Sequence, residues 1–335
     1  MAIAFQAINS INTIGILDAH LNNLLMGYRP PNFIARDIFK QIPTSVDTAR
    51  LVQSNAPLHI ENDIQLSPTG FGTVKLNFSA TDYYTLSYKG LQAALQSYDI
   101  QQLGGEARAR EIVAYQLDDA IQLAREYAIA SALTSVSVIA QNFAPTYAWD
   151  NYTSSDPVSD FATARRIVVG GLNSSYGCGY PPNVAIMNWD VYNALISNPQ
   201  LIKAYYQSAF NPSNMILKKE QLAQVMGVEQ VLIGAARYAS NETNQTLTLS
   251  QVWNNSCIFA HINMSPNPNE AQQSLGYTFI PSTAEQGFPE VTYDWTTPGL
   301  LPQMGKFIVR AYKYDDHITD ATCACLITTA ITTGQ

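Results

Sequence analysis

The sequence of 335 residues predicts an α+β fold. Two observations support this fold class. A long helical period occupies residues 106–135, and segments in which apolar and polar residues alternate, as in β-strands, lie on both sides of it. Apolar residues make up 47% of the chain, which is enough for a sizeable buried core. We therefore expect one large domain or two ordinary ones.

Residues 1–50 predict an extended N-terminal arm with a short helix. Short apolar pieces alternate there with Pro30, Pro31 and Pro43, a composition that does not favour an independent core. We expect this arm to lie on other surfaces.

A long β-hairpin is predicted within residues 51–90. Residues 58–66 and 73–80 alternate between apolar and polar, with Asn62 as the one interruption, and a turn-rich segment at residues 67–72 separates them. The apolar residues of this hairpin are Leu58, Ile60, Ile64, Leu66, Phe71, Val74, Leu76 and Phe78. A two-stranded ribbon is marginal in water, so either its own domain or another subunit has to cover this face.

The strongest helical signal spans residues 106–135, after Gly104 and Gly105. Its apolar residues recur at spacings of three and four: Val113, Leu117, Ala120, Ile121, Ala124, Ala128 and Leu133. At 1.5 Å per residue, ~30 residues span about 45 Å. We expect this helix to be a spine around which the rest of the chain is organised.

Charged residues are scarce, at 13% of the chain. Two charged pairs lie in the middle of the spine, Asp118 with Asp119 and Arg125 with Glu126, and we interpret them as solvated or interface charges. A surface with so few charges can be covered by neighbouring molecules without burying many unpaired ones.

The second half of the chain mixes helices with short strands. The predicted elements are a helix over residues 158–169 stopped by Gly170 and Gly171, a strand over residues 183–187, helices over residues 189–196 and 219–226, the second ending at Gly227, and a strand over residues 231–233. From residue 238 to 305 there is no Lys or Arg, and the pattern predicts a β-rich acidic region. Residues 307–314 and 318–331 predict two further strands.

Known catalytic and metal-binding motifs are missing from the sequence. It contains no GxxxxGK[ST], no GxGxxG opening a helix, no HExxH and no GxSxG. The best local metal triplet is Asp315, Asp316 and His317, which we interpret as an exposed charged turn. We therefore predict no catalytic residues, no cofactor and no metal, and we do not expect an enzyme.

The cysteine spacing and the net charge argue against further classes of protein. Cys178, Cys257, Cys323 and Cys325 form no CxxC pair, which favours a reducing compartment, and Cys323 and Cys325 are expected as buried residues on one face of a strand. The formal net charge of -8 argues against a dedicated nucleic-acid reader. Neither a signal peptide nor a membrane anchor is predicted.

The order of these elements and several local motifs resemble one known family. The motifs are residues 81–88 leading into Gly90 and Leu91, residues 117–126 in the spine, Trp149, residues 155–157, Pro182 with Asn183, Asn198 with Pro199, residues 225–228, and Trp253. Together they resemble the major capsid proteins of tailed bacteriophages, which have the Hong Kong 97-type fold. The match covers nearly the whole chain.

The resemblance implies a division of the chain into four parts. After the arm, residues 51–90 would be an extended loop reaching over a neighbouring subunit. Residues 91–140 and 306–335 would form a peripheral domain, and residues 141–305 an axial domain. The apolar hairpin residues named above and the spine charges Arg125 and Glu126 would then be inter-subunit contacts.

The implied function is structural. Many copies would form hexamers and pentamers that close into an icosahedral head, assembled in the host cytoplasm, around double-stranded DNA bound without sequence specificity. The implied partners are other copies of the chain, a separate scaffolding protein, a portal and a possible decoration protein, with no membrane.

Two other functions remain open at this point. An encapsulin-like nanocompartment uses the same shell subunit to enclose enzymes. A soluble hydrolase or ligand-binding domain would instead use the acidic region at residues 238–305.

Overall fold

One long helix divides its buried face between two hydrophobic cores. The computed structural model describes residues 33–54, 78–96, 100, 105–170, 177–206, 215–241, 248–265, 273–282, 291–296 and 304–332. The helices of this part are Ala35–Ile38 (α1), Glu106–Leu133 (α2), Pro157–Val169 (α3), Trp189–Ile196 (α4), Pro199–Tyr206 (α5) and Lys219–Met226 (α6). The predicted spine is thereby confirmed as α2.

The strands lie before and after the long helix, as the α+β prediction requires. Those before it are Lys40–Thr44 (β1), Thr48–Ser54 (β2), Phe78–Thr85 (β3) and Ser87–Gln96 (β4). Those after it are Asn142–Phe143 (β5), Val184–Asn188 (β6), Gln230–Gly234 (β7), Arg237–Ala239 (β8), Leu249–Gln251 (β9), Cys257–Ala260 (β10), Gly276–Pro281 (β11), Val291–Thr296 (β12), Met304–Ile318 (β13) and Ala324–Ile327 (β14).

The first sheet has the order β1-β11-β13-β12, and β4 also pairs with β13. The β1–β11 pair is parallel, and the other pairs in this sheet are antiparallel. The N-terminal half of α2 packs on this sheet through a cluster of Leu95, Ala109, Leu117 and Ile308. This small apolar cluster holds α2 against the first sheet.

The second sheet has the order β5-β14-β10-β6-β7. Every residue of β6, β10 and β14 is buried, which fits strands covered on both faces by other elements. The C-terminal end of α2 contributes Ile129, Ala130 and Leu133 to this core. The second sheet therefore carries the main core of the molecule.

Local signals in the sequence explain the helix ends. In α3, Pro157 occupies the first turn and the Asp156 side chain accepts a hydrogen bond from the Ser159 backbone N–H at 3.2 Å. The helix ends at Gly170 with φ 98°, and α6 ends at Gly227 with φ 69°. The predicted helices over residues 158–169, 189–196 and 219–226 are confirmed.

The N-terminal prediction needs a correction for its last part. The short helix is present as α1, but residues 34–39 are not an arm on another surface, because Ile34, Ala35, Ile38 and Phe39 are buried in the main core. Residues 1–32 lie outside the described residues.

The end of the chain also differs from the prediction. The first terminal strand is longer than expected, since β13 continues through residues 315–318, and the second is shorter. Cys323 closes a 3₁₀ turn, Ala321–Cys323, while Cys325 lies in β14, so the two cysteines do not share one strand. Both are fully buried, as expected.

Strand pairing joins segments that are distant in sequence, which local patterns do not reveal. The strand β14 lies between β5 and β10 in the second sheet, and β11 and β12 pair with β13 in the first sheet. The predicted division into a peripheral and an axial domain stays a prediction. Among the described residues, no helix is both long and apolar enough to cross a bilayer.

Candidate assembly surfaces

The base of the predicted hairpin is an antiparallel ribbon of β2 and β3, called here the hairpin base. Thr48 lies opposite Thr85 and Ser54 opposite Phe78, with one irregularity in register between them. The two strands therefore have the antiparallel pairing expected at the base of the hairpin predicted within residues 51–90. Leu58, Ile60, Ile64, Leu66, Phe71, Val74 and Leu76 lie outside the described residues, as does the side chain of Phe78. Their inter-subunit role stays a prediction.

The hairpin base is attached to the first sheet by a small apolar cluster. It consists of Ile42, Tyr84, Leu86, Tyr277 and Phe279. The rings of Tyr84 and Phe279 stack with centroids 4.2 Å apart. The alternation in β3 leaves Tyr83 on the other face, where 63% of it is exposed. One face of the ribbon thus packs on the subunit, and the Tyr83 side of the other face is exposed.

Polar contacts between β13 and the hairpin base supplement this cluster. The Asp315 carboxylate accepts a hydrogen bond from the Thr85 backbone N–H at 3.1 Å, and His317 Nε2 lies 2.7 Å from Asp82 Oδ2. Lys313 Nζ lies 2.6 Å from the Asp47 carboxylate, just before β2. These contacts are partly exposed, so water and salt screen them.

The triplet of residues 315–317 was predicted as an exposed charged turn, and this is wrong. All three residues lie in β13, where pairing with β11 extends the strand. Asp315 and His317 face the hairpin base, and Asp316 faces α2. Within the described ranges, no group of three His, Cys, Asp or Glu side chains is arranged to hold a metal.

Arg125 joins the middle of α2 to the first sheet. Its Nε and Nη2 atoms donate to the two oxygens of Asp316 at 2.8 and 2.6 Å, and Nη2 also donates to Thr278 Oγ1 at 2.8 Å. The Tyr314 ring lies 4.8 Å from the guanidinium carbon. Both charged side chains are under 10% exposed, at 6% and 9%. This is a bidentate ion pair in a dry setting.

Glu126 joins α2 to α1 and to Trp253, which belongs to the main core. Its carboxylate accepts hydrogen bonds from the backbone N–H groups of Ile34 and Ala35 at 3.3 and 2.8 Å, and from Trp253 Nε1 at 2.7 Å. Burial raises the pKa of Glu126, and these donors and the Arg125 charge oppose that rise. The acid therefore fixes the start of α1 against the spine.

The predicted inter-subunit role of Arg125 and Glu126 is corrected by this geometry. Both side chains are buried, and their hydrogen bonds are made within one chain. The sequence contained a signal for this: Leu117, Ile121, Arg125, Ile129 and Leu133 recur every four residues, and all are buried. This spacing of four residues places Arg125 on the buried stripe of α2.

Apolar groups are also exposed elsewhere on the described chain. A groove of about 600 Å³ runs between α2 and β4, past Ala124, Ala128 and Ala132, and it is flanked by Tyr88 and Leu91. Large apolar side chains that are individually exposed include Trp189, Tyr206 and Ile216.

Solved structures with the same architecture include a phage-related protein from Bordetella bronchiseptica. It is 18% identical, the alignment covers 93% of this chain and 96% of that one, and the TM-score is 0.61. The chain has the Hong Kong 97-type capsid fold. A chain of Microbacterium phage Oxtober96 shares it at 11% identity, with 90% and 93% of the two chains covered and a TM-score of 0.51.

The Hong Kong 97-type fold also occurs in an encapsulin. The holo-encapsulin complex of Synechococcus elongatus contains a chain that is 9% identical, with 89% of this chain and 87% of that one covered and a TM-score of 0.52. No protein-family model matches the sequence, and no curated protein is significantly similar. The fold therefore rests on structural likeness alone.

Proposed function

We propose that this chain is the major shell subunit of a tailed-bacteriophage head. Copies of it would form hexamers and pentamers that close around double-stranded DNA in the virion. The observation that carries the proposal is the full-length likeness to the phage-related protein, which leaves almost no part of either chain unmatched. We propose no catalytic reaction.

In this proposal, the hairpin forms the main contact between copies of the chain. Its base is attached to the first sheet through one face, and its strands lead toward a tip whose sequence alternates between apolar and polar. An apolar ribbon face in water is unstable unless something covers it. We propose that a neighbouring copy covers it, and that the groove between α2 and β4 provides a further contact between copies.

The charge distribution supports a container rather than a DNA-binding protein. The chain carries 26 acidic against 18 basic side chains. Tight phosphate binding would require an excess of basic groups. Packaging through a portal, with a scaffolding protein and a possible decoration protein during assembly in the host cytoplasm, is the setting that we propose for it.

A pair of substitutions in the hairpin tests the contact. Leu76 and Asn77 are adjacent and lie on opposite faces of the predicted strand, so Leu76→Asp and Asn77→Asp add the same charge to the two faces. Size-exclusion chromatography with light scattering and negative-stain microscopy would measure assembly. We expect shells or ring-like capsomers from N77D and the unmodified chain, and only small species from L76D.

Deletion of residues 60–78 extends the same test. The deleted chain should keep a folded core, visible as an unchanged cooperative unfolding transition, but should form no shells with or without a scaffolding protein. Normal shells from L76D or from the deletion would refute the hairpin contact. A monomer under all conditions, from the unmodified chain as well, would refute the shell function.

The encapsulin likeness favours a second candidate, a nanocompartment that encloses protein. The contents of shells purified from the native source distinguish the two. Double-stranded DNA protected from nuclease would support a phage head, and a co-purifying enzyme without DNA would support a compartment.

A further inference from the structure

A titratable contact lies at the junction between the hairpin base and the first sheet. His317 belongs to β13, and its Nε2 atom lies 2.7 Å from Oδ2 of Asp82 in β3. The His317 side chain is 19% exposed and that of Asp82 is 49% exposed. Protons from solution can therefore reach the pair while the two strands hold it together.

The apolar part of this junction is small, so its polar contacts matter for whether the hairpin base opens. The stacked rings of Tyr84 and Phe279 belong to a cluster that is separate from the main core. Elements with few buried apolar contacts open locally at a lower free energy than the core does. A change in one polar contact can therefore shift the opening of the hairpin base while the core stays folded.

The strands packed around His317 place two carboxylates beside it. Asp82 comes from β3, and Asp315 lies two residues before His317, on the same face of β13. Tyr277 of β11 lies opposite His317, and Lys40 of β1 lies opposite Tyr277, roughly 10 Å from His317 by strand spacing. Burial raises the pKa of Tyr277, so its hydroxyl stays neutral.

The other charged groups of these strands lie away from His317. Arg50 of β2 is opposite Tyr83, which places it on the outer face of the ribbon. Asp47 pairs with Lys313. On β13 itself, Asp316 faces α2, where it pairs with Arg125. These charges are already paired or point elsewhere.

Protonation of the imidazole changes the charge balance of the junction. Histidine is the side chain that ordinarily titrates between pH 5 and 8. The protonated ring of His317 makes a charge-assisted hydrogen bond with Asp82 and also attracts Asp315. The neutral ring gives a weaker bond and leaves two carboxylates of like charge on opposite sides of the junction.

We infer that His317 and Asp82 form a pH-sensitive latch, which holds the hairpin base on the first sheet more tightly at pH 6 than at pH 8. The stacked rings of Tyr84 and Phe279 keep the base in place at the higher pH, so the latch loosens the ribbon without unfolding the subunit. The latch is a property of the single chain and does not depend on the shell function.

Hydrogen exchange measured by mass spectrometry on the full-length, unassembled chain tests the latch. Peptides that contain residues 78–85 report the opening of β3, and their exchange rates at pH 6 and pH 8 are divided by the intrinsic rate at each pH. We expect protection of β3 to be about threefold lower at pH 8, the size of effect that a partly exposed ion pair supports. Peptides that contain β6, in the main core, show that the chain is folded.

Matched variants identify the titrating group. His317→Gln cannot be protonated in this range, so it should show the lower protection of β3 at both pH values. Asp82→Asn removes the carboxylate partner and should shrink the pH difference. His261→Gln is the control, because His261 contacts the Pro181 carbonyl instead of the hairpin base. His59→Gln removes the histidine of the predicted hairpin, and both controls should keep the threefold change.

Several outcomes would overturn the latch. Equal protection of β3 at the two pH values in the wild-type chain would do so, and so would higher protection at pH 8. A threefold change that persists in folded His317→Gln, or one that disappears in His59→Gln, would assign the effect to another group. If His317→Gln does not fold, Asp82→Asn decides, because an undiminished pH difference in that variant would contradict the pairing.

Discussion

The two faces of β13 use similar charged groups in different surroundings. On one face, Asp316 pairs with Arg125 in a dry junction against α2. On the other, Asp315 and His317 hold the hairpin base through contacts in which Asp82 is 49% exposed. The inner contacts fix the sheet to the helix, and the outer ones are open to solvent screening. The hairpin base can therefore be loosened without disturbing the core.

The largest effect should come from breaking the inner ion pair. Arg125→Ala leaves the Asp316 carboxylate buried without its partner, and we expect a loss of about 4 kcal/mol in the free energy of unfolding. Urea denaturation of the unassembled subunit measures this loss. Arg110→Ala, at a partly exposed position on the same helix, is the control and should change stability by less than ~1 kcal/mol. Equal effects would contradict the comparison.

Removing the second buried acid should cost somewhat less. Glu126→Ala leaves the Trp253 indole and two backbone N–H groups without their acceptor, and we expect a loss of about 3 kcal/mol. Glu111→Ala, at an exposed position of α2, serves as the control in the same denaturation experiment. A loss no larger than that of the control would contradict the role assigned to Glu126.

The apolar part of the hairpin base should have an intermediate effect. Tyr84→Ala removes a ring that stacks on Phe279, and we expect a loss of about 2 kcal/mol because this small cluster can partly collapse around the gap. Tyr83→Ala, on the exposed face of the same strand, should leave the subunit's stability nearly unchanged. The proposed hairpin contact would separate the two variants further in an assembly assay, because Tyr83 is exposed and Tyr84 is buried.

The stability that Glu126 contributes should depend on pH with a defined sign. Burial raises the pKa of Glu126 in the folded chain above its value in the unfolded chain. Its contribution to stability is then fully present below the unfolded-state pKa and is lost as pH rises through the raised folded-state pKa. The unfolding free energy of Glu126→Gln, measured against pH, should lack this decline, whereas Glu111→Gln should retain it.

The smallest effect belongs to the outer ion pair. His317→Gln removes the contact with Asp82, and we expect a loss below ~1 kcal/mol because this pair is partly solvated. Unfolding at low and high salt would show it: the difference between wild type and variant should shrink as salt rises. A loss as large as that of Arg125→Ala would show that the two faces of β13 are equally important.

The sequence predicted local elements well because their signals are local. The periodicity of α2, the proline and aspartate at the start of α3 and the glycines after α3 and α6 lie within the elements that they determine. The resemblance to a phage capsid family led to the fold that the structural comparison supports.

Partners distant in sequence could not be predicted. Arg125 lies on the buried stripe of α2, but its partner Asp316 comes from a strand that continues only because β11 pairs with it. The same holds for Glu126, because its hydrogen-bond donors Ile34 and Trp253 lie far before and far after it in the sequence. The charged residues of α2 were interpreted as solvated or interface charges, because local sequence does not reveal the partners that tertiary packing supplies.

The place of β14 in the second sheet constrains the order of events during synthesis. It lies between β5 and β10, yet the ribosome produces residues 324–327 after every other strand of that sheet. The sheet therefore stays divided until translation has passed that point, and folding depends on contacts of long sequence separation. A polypeptide released before residue 324 would lack the strand that joins β5 to the rest. Such a fragment would present an open sheet edge, a target for chaperones and proteases.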